Sequence, residues 1–400
     1  MLLLATALAT IAAVPAPQSV IIVGGGTAGL ASAWVLARRG VQVTVLEQFT
    51  VANALSSHSG YTRITRQAYH EGSGYVPLIR ESEAQWVALG RAVEQALLVR
   101  TGLLEFGPPD DPDFLAATEA CVSMGVEHAV YDAAEAQRRW PITIPSDWTA
   151  CLSPSGGYLR VPQCLGAMRI EAERAGATVR ERTRVAAVLQ GEREAGVVLV
   201  DGTRMVADRV VVSAGPWLPK LLPRAVAAGV TPLRRVAAWV NPAGAATDAL
   251  RQLPVWGAFL PHGFFYGFPL GEEGVSGLKI ACHTEVAGAG ATLLGKRVDP
   301  DEVDRAVGPQ DLEPLSAVLR DHFPSAVGPF VHDAVCMYSV TRDWSFLIDR
   351  VPDDPRVVVA GGLSGHGFKF APAVGRLVAE LVTTDASPHD SFSFAHHGAG

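Results

Sequence analysis

The sequence predicts a mixed α/β protein, in which an open parallel sheet built from separate stretches of the chain is joined to a second domain on an antiparallel sheet. A strand, a glycine-rich turn and a helix follow one another over residues 20–39. Strands that end in glycine turns recur near residues 212 and 360, where the chain can return to the same sheet. The length of 400 residues exceeds one ordinary domain.

The first stretch has the spacing of a dinucleotide-binding turn. The apolar run Val20–Val23 is followed by Gly24, Gly26 and Gly29 in a G-x-G-x-x-G pattern, and then by a predicted helix over 31–39. In such a turn the first glycine permits the tight bend, the second lets the backbone approach a pyrophosphate, and the third allows close helix–strand packing. The free N–H groups at the helix N-terminus favour the phosphates.

An acidic residue completes this unit. The second predicted strand, 41–46, ends in Glu47, whose carboxylate can accept hydrogen bonds from the ribose hydroxyls of an adenosine. A glycine-rich turn without a ligand is the alternative, but strand, turn, helix, strand and terminal acid together favour dinucleotide binding. The motif does not distinguish FAD from NAD(P).

Composition narrows the possible partners. The net charge is −7 and the chain carries no dense basic cluster, so we do not expect a nucleic acid partner. The five cysteines are an odd number with no C-x-x-C pair and no zinc spacing, which argues against a disulfide scaffold and a structural metal site. The apolar run 2–14 is too short to span a bilayer comfortably and has no preceding Lys or Arg. We therefore expect no membrane association and a cytoplasmic protein.

Apolar periodicity and glycine or proline boundaries predict the remaining elements. Helices are expected over residues 77–99, 110–125, 133–140, 162–176, 300–319 and 373–382. Strands are expected over 103–106, 177–189, 194–200, 210–217, 232–256, 264–268, 278–284, 334–338 and 357–360. Arg63 and Arg66 are three residues apart, a spacing that places both on one face of a helix.

This layout predicts a discontinuous nucleotide-binding domain and a substrate domain assembled from the segments between its pieces, with a pocket between the two. The expected ranges are 18–85, 155–217 and 334–385 for the nucleotide-binding domain and 86–154 and 218–333 for the substrate domain. Residues 1–17 are expected to be an N-terminal extension and 386–400 a flexible tail.

Three further motifs carry a resemblance to a known family. They are TRITRQAYHEGSGYVP at 62–77, CMYSVTRDWSFLID at 336–349 and GGLSGHGFKF at 361–370. With the glycine turn, they occur in the order found in the monomeric sarcosine oxidase family, which includes N-methyltryptophan oxidase and pipecolate oxidase among the D-amino-acid-oxidase-like flavoproteins. The chain resembles this family from about residue 20 to about residue 381. The resemblance implies a Rossmann-like FAD-binding domain and oxidation of a C–N bond in a secondary amino acid.

The resemblance assigns cofactor contacts to several residues. Cys336 is similar to the family cysteine that is joined to the 8α-methyl group of the flavin through a thioether, which requires a thiolate. Without the resemblance, a buried core cysteine would be the favoured interpretation. The other residues to which the resemblance gives a cofactor role are Thr62, Gly365 and His366.

The resemblance also implies the substrate site. Arg66 and Lys369 are similar to the pair that binds the substrate carboxylate, and a carboxylate entering a dry pocket needs such paired cations. Arg63 resembles the arginine nearer the flavin ring. Tyr266 and Tyr338 resemble the tyrosines that line the pocket.

Lys279 and His283 share one face of a predicted strand, which by itself indicates a pocket. Lys279 resembles the family lysine that activates oxygen above the flavin, and His283 the histidine near the substrate amine. A hydrogen-bonded core histidine is the alternative for His283.

The chain departs from the family pattern at Ser59, Tyr61, Arg342 and Trp344, and these changes leave the substrate open between sarcosine, a bulkier amine and a cyclic imino acid. The sequence thus predicts a monomeric FAD-dependent amine oxidase whose partners are a small amino acid and O2, which it reduces to H2O2. Several alternatives remain: an NAD(P)-dependent dehydrogenase, a flavin-stabilised scaffold or an assembly subunit of a larger oxidase, an FAD-dependent dehydrogenase that passes electrons to a partner, and a natural-product tailoring oxidase of the same fold.

Overall fold

The computed structural model describes residues 17–69, 72, 74–189, 195–223, 229–244, 247–271, 275–285 and 296–398. The N-terminal extension expected over 1–17 thus lies outside the described residues except for residue 17. In the described part of the chain, no helix combines the length and apolar character needed to cross a bilayer.

The strands alternate with helices in the first half of the chain and dominate the second. In chain order they are β1 Ser19–Val23, β2 Gln42–Leu46, β3 Thr62–Thr65, β4 Leu98–Arg100, β5 Leu103–Gly107, β6 Ala129–Asp132, β7 Thr149–Ser153, β8 Gly157–Arg160, β9 Thr178–Arg180, β10 Val185–Leu189, β11 Ala195–Leu199, β12 Arg204–Ala207, β13 Arg209–Val212, β14 Thr231–Val240, β15 Val255–Leu260, β16 Gly263–Gly267, β17 Leu278–Glu285, β18 Phe330–Val340, β19 Leu347–Val351 and β20 Asp354–Gly361.

The described helices lie on the faces of the sheets or in their connections. They are α1 Thr27–Arg38, α2 Tyr75–Ala92, α3 Pro112–Ser123, α4 Ala133–Arg139, α5 Val161–Arg174, α6 Leu218–Leu221, α7 Thr247–Arg251, α8 Pro309–His322 and α9 Ala371–Thr383. Short 3₁₀ turns cover Gly215–Trp217, Pro324–Ala326, Phe368–Phe370 and Asp390–Phe392.

A six-stranded sheet holds the predicted nucleotide turn. Its order is β19-β20-β13-β1-β2-β9, and every pair is parallel except β19 with β20. The strands predicted from the apolar runs near residues 20, 41, 210 and 357 all belong to it, which confirms the Rossmann-like arrangement. Such runs are apolar throughout because helices cover both faces of a parallel sheet. Here α1, α5 and α9 pack on one face in a continuous core.

The second large sheet has eight strands in the order β18-β14-β17-β16-β15-β5-β7-β6 and is antiparallel except where β15 pairs with β5. One of its faces packs on α8 and on the loop before β7, in a core that includes Trp256 and Phe323. Two three-stranded sheets, β10-β11-β12 and β3-β8-β4, complete the fold. The predicted second domain on an antiparallel sheet is therefore present.

The structure differs from the sequence analysis around the two arginines. Residues 62–65 form β3, which pairs antiparallel with β8, so Arg63 lies on a strand and Arg66 just beyond its end. The expectation that both share a helical face is wrong. Thr62, Ile64 and Thr65 are β-branched, and this residue type favours a strand when a partner strand is available.

Three segment assignments also change. Residues 334–340 belong to β18 and pair along most of their length with β14, so they extend the antiparallel sheet instead of the nucleotide-binding domain. The helix expected from residue 300 begins only at Pro309. In the loop before it, the carboxylate of Asp301 accepts hydrogen bonds from Trp217 and Lys220, and these contacts hold the loop in its non-helical conformation. The C-terminal tail was expected to be flexible, but its residues Phe392 and Phe394 are buried in the core. Their burial is favourable because it removes two apolar rings from water.

The glycine turn is packed too closely for side chains. A Cβ on Gly29 would lie 1.8 Å from the carbonyl oxygen of Gly24 and 2.7 Å from Oγ of Ser213. The Ser213 hydroxyl donates to the carbonyl oxygens of Val23 and Gly24, so the turn cannot move away without breaking these bonds. By contrast, a Cβ on Gly166 in α5 would meet nothing within 4 Å.

These contacts predict opposite effects of the same substitution at two helical glycines. Gly29→Ala should lower the free energy of unfolding by about 1–3 kcal/mol, since the added methyl group overpacks the turn. Gly166→Ala should raise it by about 0.5–1 kcal/mol, since alanine is the better helix former and no neighbour is displaced. Thermal unfolding followed by circular dichroism measures both, and a Gly29→Ala protein as stable as the unmodified one would contradict the packing argument.

Candidate active site

A first cavity of about 440 Å³ opens above the carboxyl ends of the parallel strands. Gly24 and Gly26 of the turn line it, and so do Glu47 and the residues that follow β13 and β20. This is the edge of an open α/β sheet where ligands bind. Gly29 lets the helix pack closely against the backbone of Gly24, which is the role that the sequence pattern predicts for the third glycine.

Glu47 is fixed at the rim of this cavity. It is 5% exposed, and its carboxylate accepts hydrogen bonds from the backbone N–H groups of Gly25 at 2.7 Å and Phe49 at 2.8 Å. Burial raises the pKa of Glu47, and these two N–H donors act in the opposite direction. The ribose contact expected for Glu47 agrees with this position and stays a prediction.

Polar atoms of the first cavity suit a bound dinucleotide. Oγ of Ser57 and Nε2 of His58 are buried and have no hydrogen-bond partner among the described residues. Burial and, to a smaller extent, the charge of Arg63 lower the pKa of His58 to about 3, so its imidazole is neutral and offers one donor and one acceptor. Buried polar atoms are normally satisfied, so these groups fit a ligand with phosphate, ribose and ring heteroatoms.

A second cavity, of about 760 Å³, adjoins the first. Arg63, Tyr338, Gly365 and Phe368 line both cavities and form their common wall. The second cavity also brings together the remaining predicted substrate residues, which are Arg66, Tyr266, His283 and Lys369. Residues from strands β3, β16, β17 and β18 and from the segment after β20 thus converge on one space.

Two cations flank one aromatic ring in the second cavity. Arg66 and Lys369 are 8% and 7% exposed, and their charged groups lie 5.3 and 5.0 Å from the ring centroid of Tyr69. Lys369 donates to the carbonyl oxygen of His366, while Arg66 forms a buried ion pair with Glu105 at 2.9 Å. Buried cations on an aromatic face form a ready site for a carboxylate.

A hydrogen-bonded group of aromatic side chains lies near the common wall. Nδ1 of His283 and the hydroxyl of Tyr338 are 2.9 Å apart, and the ring of Tyr266 lies 6.5 Å from that of His283. Burial raises the pKa of Tyr266 and of Tyr338, so both hydroxyls are protonated near neutral pH. This region of the cavity therefore offers two uncharged tyrosine hydroxyls as donors and acceptors.

Gly365 lies in the wall between the two cavities, whereas His366 lines the second cavity alone of the two. Gly365 has φ +77°, and a Cβ there would lie 2.3 Å from the ring of Tyr338, so the wall between the cavities requires glycine. His366 lines only the second cavity of the two, and its ring nitrogens contact the Tyr69 hydroxyl at 2.5 Å and the Trp344 carbonyl at 2.9 Å. His366 therefore lies in the second cavity beside Tyr69 and Trp344, and its cofactor contact stays a prediction.

Lys279 is buried beneath the segment that carries Arg63. It is 1% exposed, and Nζ donates to the carbonyl oxygens of Gly60 and Thr62 and to Oγ1 of Thr62. The rings of Trp239 and Phe268 lie within 5.2 Å of Nζ. A Cβ on Gly60 would lie 3.6 Å from Nζ of Lys279 and 3.7 Å from Nη1 of Arg63, so only this glycine separates the two cations.

Cys336 lies on β18 two residues before Tyr338, hence on the same face of that strand. It is 8% exposed and packs with Tyr338 and Trp344. Its neighbours Met337 and Tyr338 line the first cavity, whereas Cys336 is not among the described residues that line either space. The thiol therefore lies close to the predicted flavin site without opening into it.

The sequence analysis missed three site residues: His58, Tyr69 and Glu105. His58 and Tyr69 are adjacent to recognised motifs but carry no periodic signal of their own. Glu105 interrupts the apolar strand β5, and an acid within a short apolar run is the signal that could have identified it. In the described residues, no cluster of three or more His, Cys, Asp or Glu side chains could hold a metal ion.

Comparison with known proteins agrees with this geometry. Residues 19–381 match the model of the DAO family, described as FAD dependent oxidoreductase. The chain is 35% identical over 381 residues to a monomeric sarcosine oxidase from Bacillus sp. (strain B-0618), covering 94% of this chain and 95% of that protein. It is 30% identical over 377 residues to an N-methyl-L-tryptophan oxidase from Yersinia pestis (strain Pestoides F), covering 94% and 97%.

A solved structure shares the whole fold. NikD, an unusual amino acid oxidase essential for nikkomycin biosynthesis, superposes with a TM-score of 0.80 at 26% identity, covering 94% of this chain and 96% of that one. The range of the family match contains the glycine turn and the wall between the two cavities. The chain therefore belongs to the DAO family of FAD-dependent oxidoreductases.

Proposed function

We propose that the protein oxidises the C–N bond of a secondary amino acid, N-methylated or cyclic, to an imine and reduces O2 to H2O2. The observation that carries this proposal is the buried pair Arg66 and Lys369 in a cavity that shares a wall with the nucleotide site. That arrangement can hold a carboxylate at one end while the amine faces the common wall. Bound FAD supplies two-electron oxidation of the amine and the subsequent reaction with oxygen.

The cavity orients the substrate through its two ends. Arg66 and Lys369 bind the carboxylate, and both cations lie near the ring of Tyr69. Fixing the carboxylate leaves the α-carbon and nitrogen little freedom, which lowers the entropic part of the barrier. Phe368 and Tyr338 in the common wall restrict water at the reacting end.

The protonation state of the amine follows from its surroundings. The neutral amine is the reactive species, and burial disfavours the ammonium form. His283 and Tyr338 form a hydrogen-bonded pair at this end, and burial raises the pKa of the Tyr338 hydroxyl, which therefore stays uncharged. After oxidation, water hydrolyses the imine.

Lys279 is proposed to assist the reaction with oxygen. Its ammonium group is held by Gly60 and Thr62 in a water-poor setting close to Arg63. A preorganised positive charge favours the superoxide that forms when oxygen accepts its first electron.

Covalent attachment of FAD through Cys336 is also part of the proposal. The residue shares the face of β18 with Tyr338, a residue of the common wall, and Met337 beside it lines the nucleotide cavity. A bond from its sulfur to the flavin 8α-methyl group requires the thiol to turn toward that cavity. We further propose a monomer that acts in the cytoplasm, where FAD is acquired by the folded chain.

A natural-product tailoring oxidase is a second candidate. The similarity to NikD supports it, as does Trp344, which has φ +64°, lines the second cavity and contacts His283 with ring centroids 5.8 Å apart. A bulky indole at this place reshapes the pocket toward a larger or cyclic substrate. Tyr61, another of the four replaced positions, packs on Trp239 and is not among the described lining residues of that cavity. Screening peroxide release with sarcosine, N-methyltryptophan and pipecolate separates these possibilities.

Cofactor attachment is tested by acid precipitation. We expect the precipitated protein to stay yellow, and Cys336→Ser to release all its flavin into the supernatant. Cys282→Ser is the matched control, because serine can keep the hydrogen bond that Cys282 donates to the Thr284 carbonyl. Colourless precipitate from the unmodified protein would exclude the thioether while leaving FAD binding intact.

Oxygen reactivity is tested at Lys279. Lys279→Met should slow the reaction of the reduced enzyme with oxygen by about 10²–10³, the cost of removing one preorganised electrostatic contact. Anaerobic reduction by substrate should change far less. Stopped-flow absorbance measures the two half-reactions separately, and equal slowing of both would assign Lys279 a purely structural role.

Carboxylate recognition is tested at Arg66. Arg66→Ala removes one cation of the proposed carboxylate site and breaks its buried ion pair with Glu105, and breaking such a pair costs roughly 3–5 kcal/mol. The KM for amino-acid substrates should therefore rise by at least about 100-fold, whereas the reduced enzyme should react with oxygen as before. If the unmodified enzyme prefers an amine without a carboxylate, such as N-methylbenzylamine, the assignment of Arg66 and Lys369 is wrong.

A further inference from the structure

We propose that Cys121 and Cys151 form a modification site, at which hydrogen peroxide converts two neighbouring thiols into a reversible disulfide bond. Both cysteines are free thiols in the structure, and neither takes part in the proposed oxidation of the amine. The inference rests on the proposed function only for the source of its oxidant, because that reaction produces hydrogen peroxide.

The thiol of Cys151 lies on the face of the eight-stranded sheet that α3 covers. Ala150 and Leu152 pack in the core on the α8 side of this sheet. Because successive side chains of a strand alternate, Cys151 and Ser153 of β7 point to the opposite face. The helix α3 brings Cys121 to that face, where Cys121 and Cys151 belong to one buried cluster.

Two contacts place the sulfur of Cys121 against β7. Sγ of Cys121 lies 3.4 Å from Oγ of Ser153, and the thiols of Cys121 and Cys151 are hydrogen-bonded to each other. Cys121 is 1% exposed and Cys151 is 3% exposed, so the packing of the surrounding side chains holds the two thiols in place. The sulfur atoms are therefore neighbours across the contact between α3 and β7.

Their surroundings make the two thiols differ in acidity. The hydrogen bond with Cys151 lowers the pKa of Cys121, while burial opposes this effect and the contact with Ser153 adds to it. The same pairing, together with burial, raises the pKa of Cys151, which therefore keeps its proton. Of the nearby charged groups, Glu105 disfavours the Cys121 thiolate and His128 favours it. Since the thiolate is the reactive form of cysteine, Cys121 is the thiol that attacks peroxide.

The thiol pair lies behind the wall of the second cavity. Phe259 and Phe264 line that cavity and also pack in the cluster that contains both cysteines. Glu105 lines the cavity too and is the register partner of Cys151 on the adjacent strand β5, so these two side chains share one face. Peroxide present in the second cavity is therefore close to the thiol pair, with these side chains between them.

The chemistry balances with peroxide as the oxidant. The Cys121 thiolate attacks one peroxide oxygen, the O–O bond breaks, and the leaving hydroxide takes a proton to become water. The sulfur of Cys151 then attacks the sulfenic acid on Cys121, the S–O bond breaks, and a second water leaves as the S–S bond forms. Together the two thiols lose two electrons and two protons, and one peroxide becomes two waters. A thiol reductant reverses the change.

The test maps disulfide bonds in the FAD-loaded protein before and after a brief exposure to added hydrogen peroxide. Trypsin separates the two cysteines, because Cys121 lies in the peptide 101–138 and Cys151 in the peptide 140–160. Free thiols are alkylated, and mass spectrometry of the unreduced digest detects the two peptides joined with the loss of two hydrogen atoms. Peroxide should raise the amount of joined peptide at least tenfold, and dithiothreitol should remove it.

Cys164 is the matched control in the same chain. It is also fully buried, burial raises its pKa, and its thiol donates to the Leu97 carbonyl oxygen. The peptide of Cys164 should therefore stay alkylated, and Cys164→Ser should leave the amount of joined peptide unchanged. Cys151→Ser should abolish the joined peptide and leave Cys121 as a sulfenic acid that dimedone traps. Oxidation of Cys164 to the same extent as Cys121 would show general attack on buried thiols and would overturn the assignment.

Two results with the unmodified protein would also overturn the inference, even if a variant fails to fold. One is the lack of joined peptide after peroxide treatment, and the other is joined peptide that occurs only in covalent dimers. Because the peroxide is added, joined peptide in a protein that oxidises no N-methyl or cyclic amino acid would contradict the proposed function and leave the thiol pair standing. Oxidation of such an amino acid without joined peptide would support the proposed function and overturn the thiol pair.

Discussion

The contact between Gly365 and the ring of Tyr338 joins the two halves of the molecule. Gly365 follows the parallel strand β20, and Tyr338 belongs to β18 of the antiparallel sheet. The backbone passes so close to the ring that a Cβ would lie 2.3 Å from it, and the Ser364 N–H donates to the Ser339 carbonyl at 2.9 Å. Because the sheets meet here, the nucleotide and substrate cavities share a wall. Without this close approach, the cations of the substrate cavity would have no fixed position relative to the nucleotide site.

Lys279, Lys369 and Arg66 are buried cations near this wall, and different contacts stabilise them. Lys279 donates to backbone carbonyl oxygens, Lys369 donates to the His366 carbonyl oxygen and lies near the ring of Tyr69, and Arg66 pairs with the carboxylate of Glu105. A buried charge is tolerated only when such contacts replace its water. The cost of desolvation is met when the chain folds, so the charges are already oriented when a substrate carboxylate or an oxygen molecule arrives. Preorganisation of this kind is the main electrostatic contribution of an enzyme site.

Prediction from sequence succeeded where the signal is local and failed where it is not. The apolar runs around Val20 and Val210 identified strands of the parallel sheet, because such strands are buried on both faces. The segment of Arg63 and Arg66 was misassigned to a helix, since a four-residue strand is stabilised only by its partner β8. The boundary at residue 334 was misplaced because a strand does not reveal which sheet it joins. The terminal segment was expected to be flexible from its polar composition, whereas two phenylalanines fix it to the core.

The sequence by itself determined the strand–turn–helix unit, the order of the family motifs, and hence the family. These features depend on the spacing of residues along the chain. That spacing determines local structure through the steric limits on glycine turns and the periods of helices and strands. Only the tertiary structure decided that Glu105 meets Arg66 from 39 residues away, that the ring of His366 contacts Tyr69 and Trp344, and that the neighbours of Cys336 on β18 line the nucleotide cavity. Such contacts arise from the pairing of strands distant in sequence, and no local period records which side chains will share a buried space.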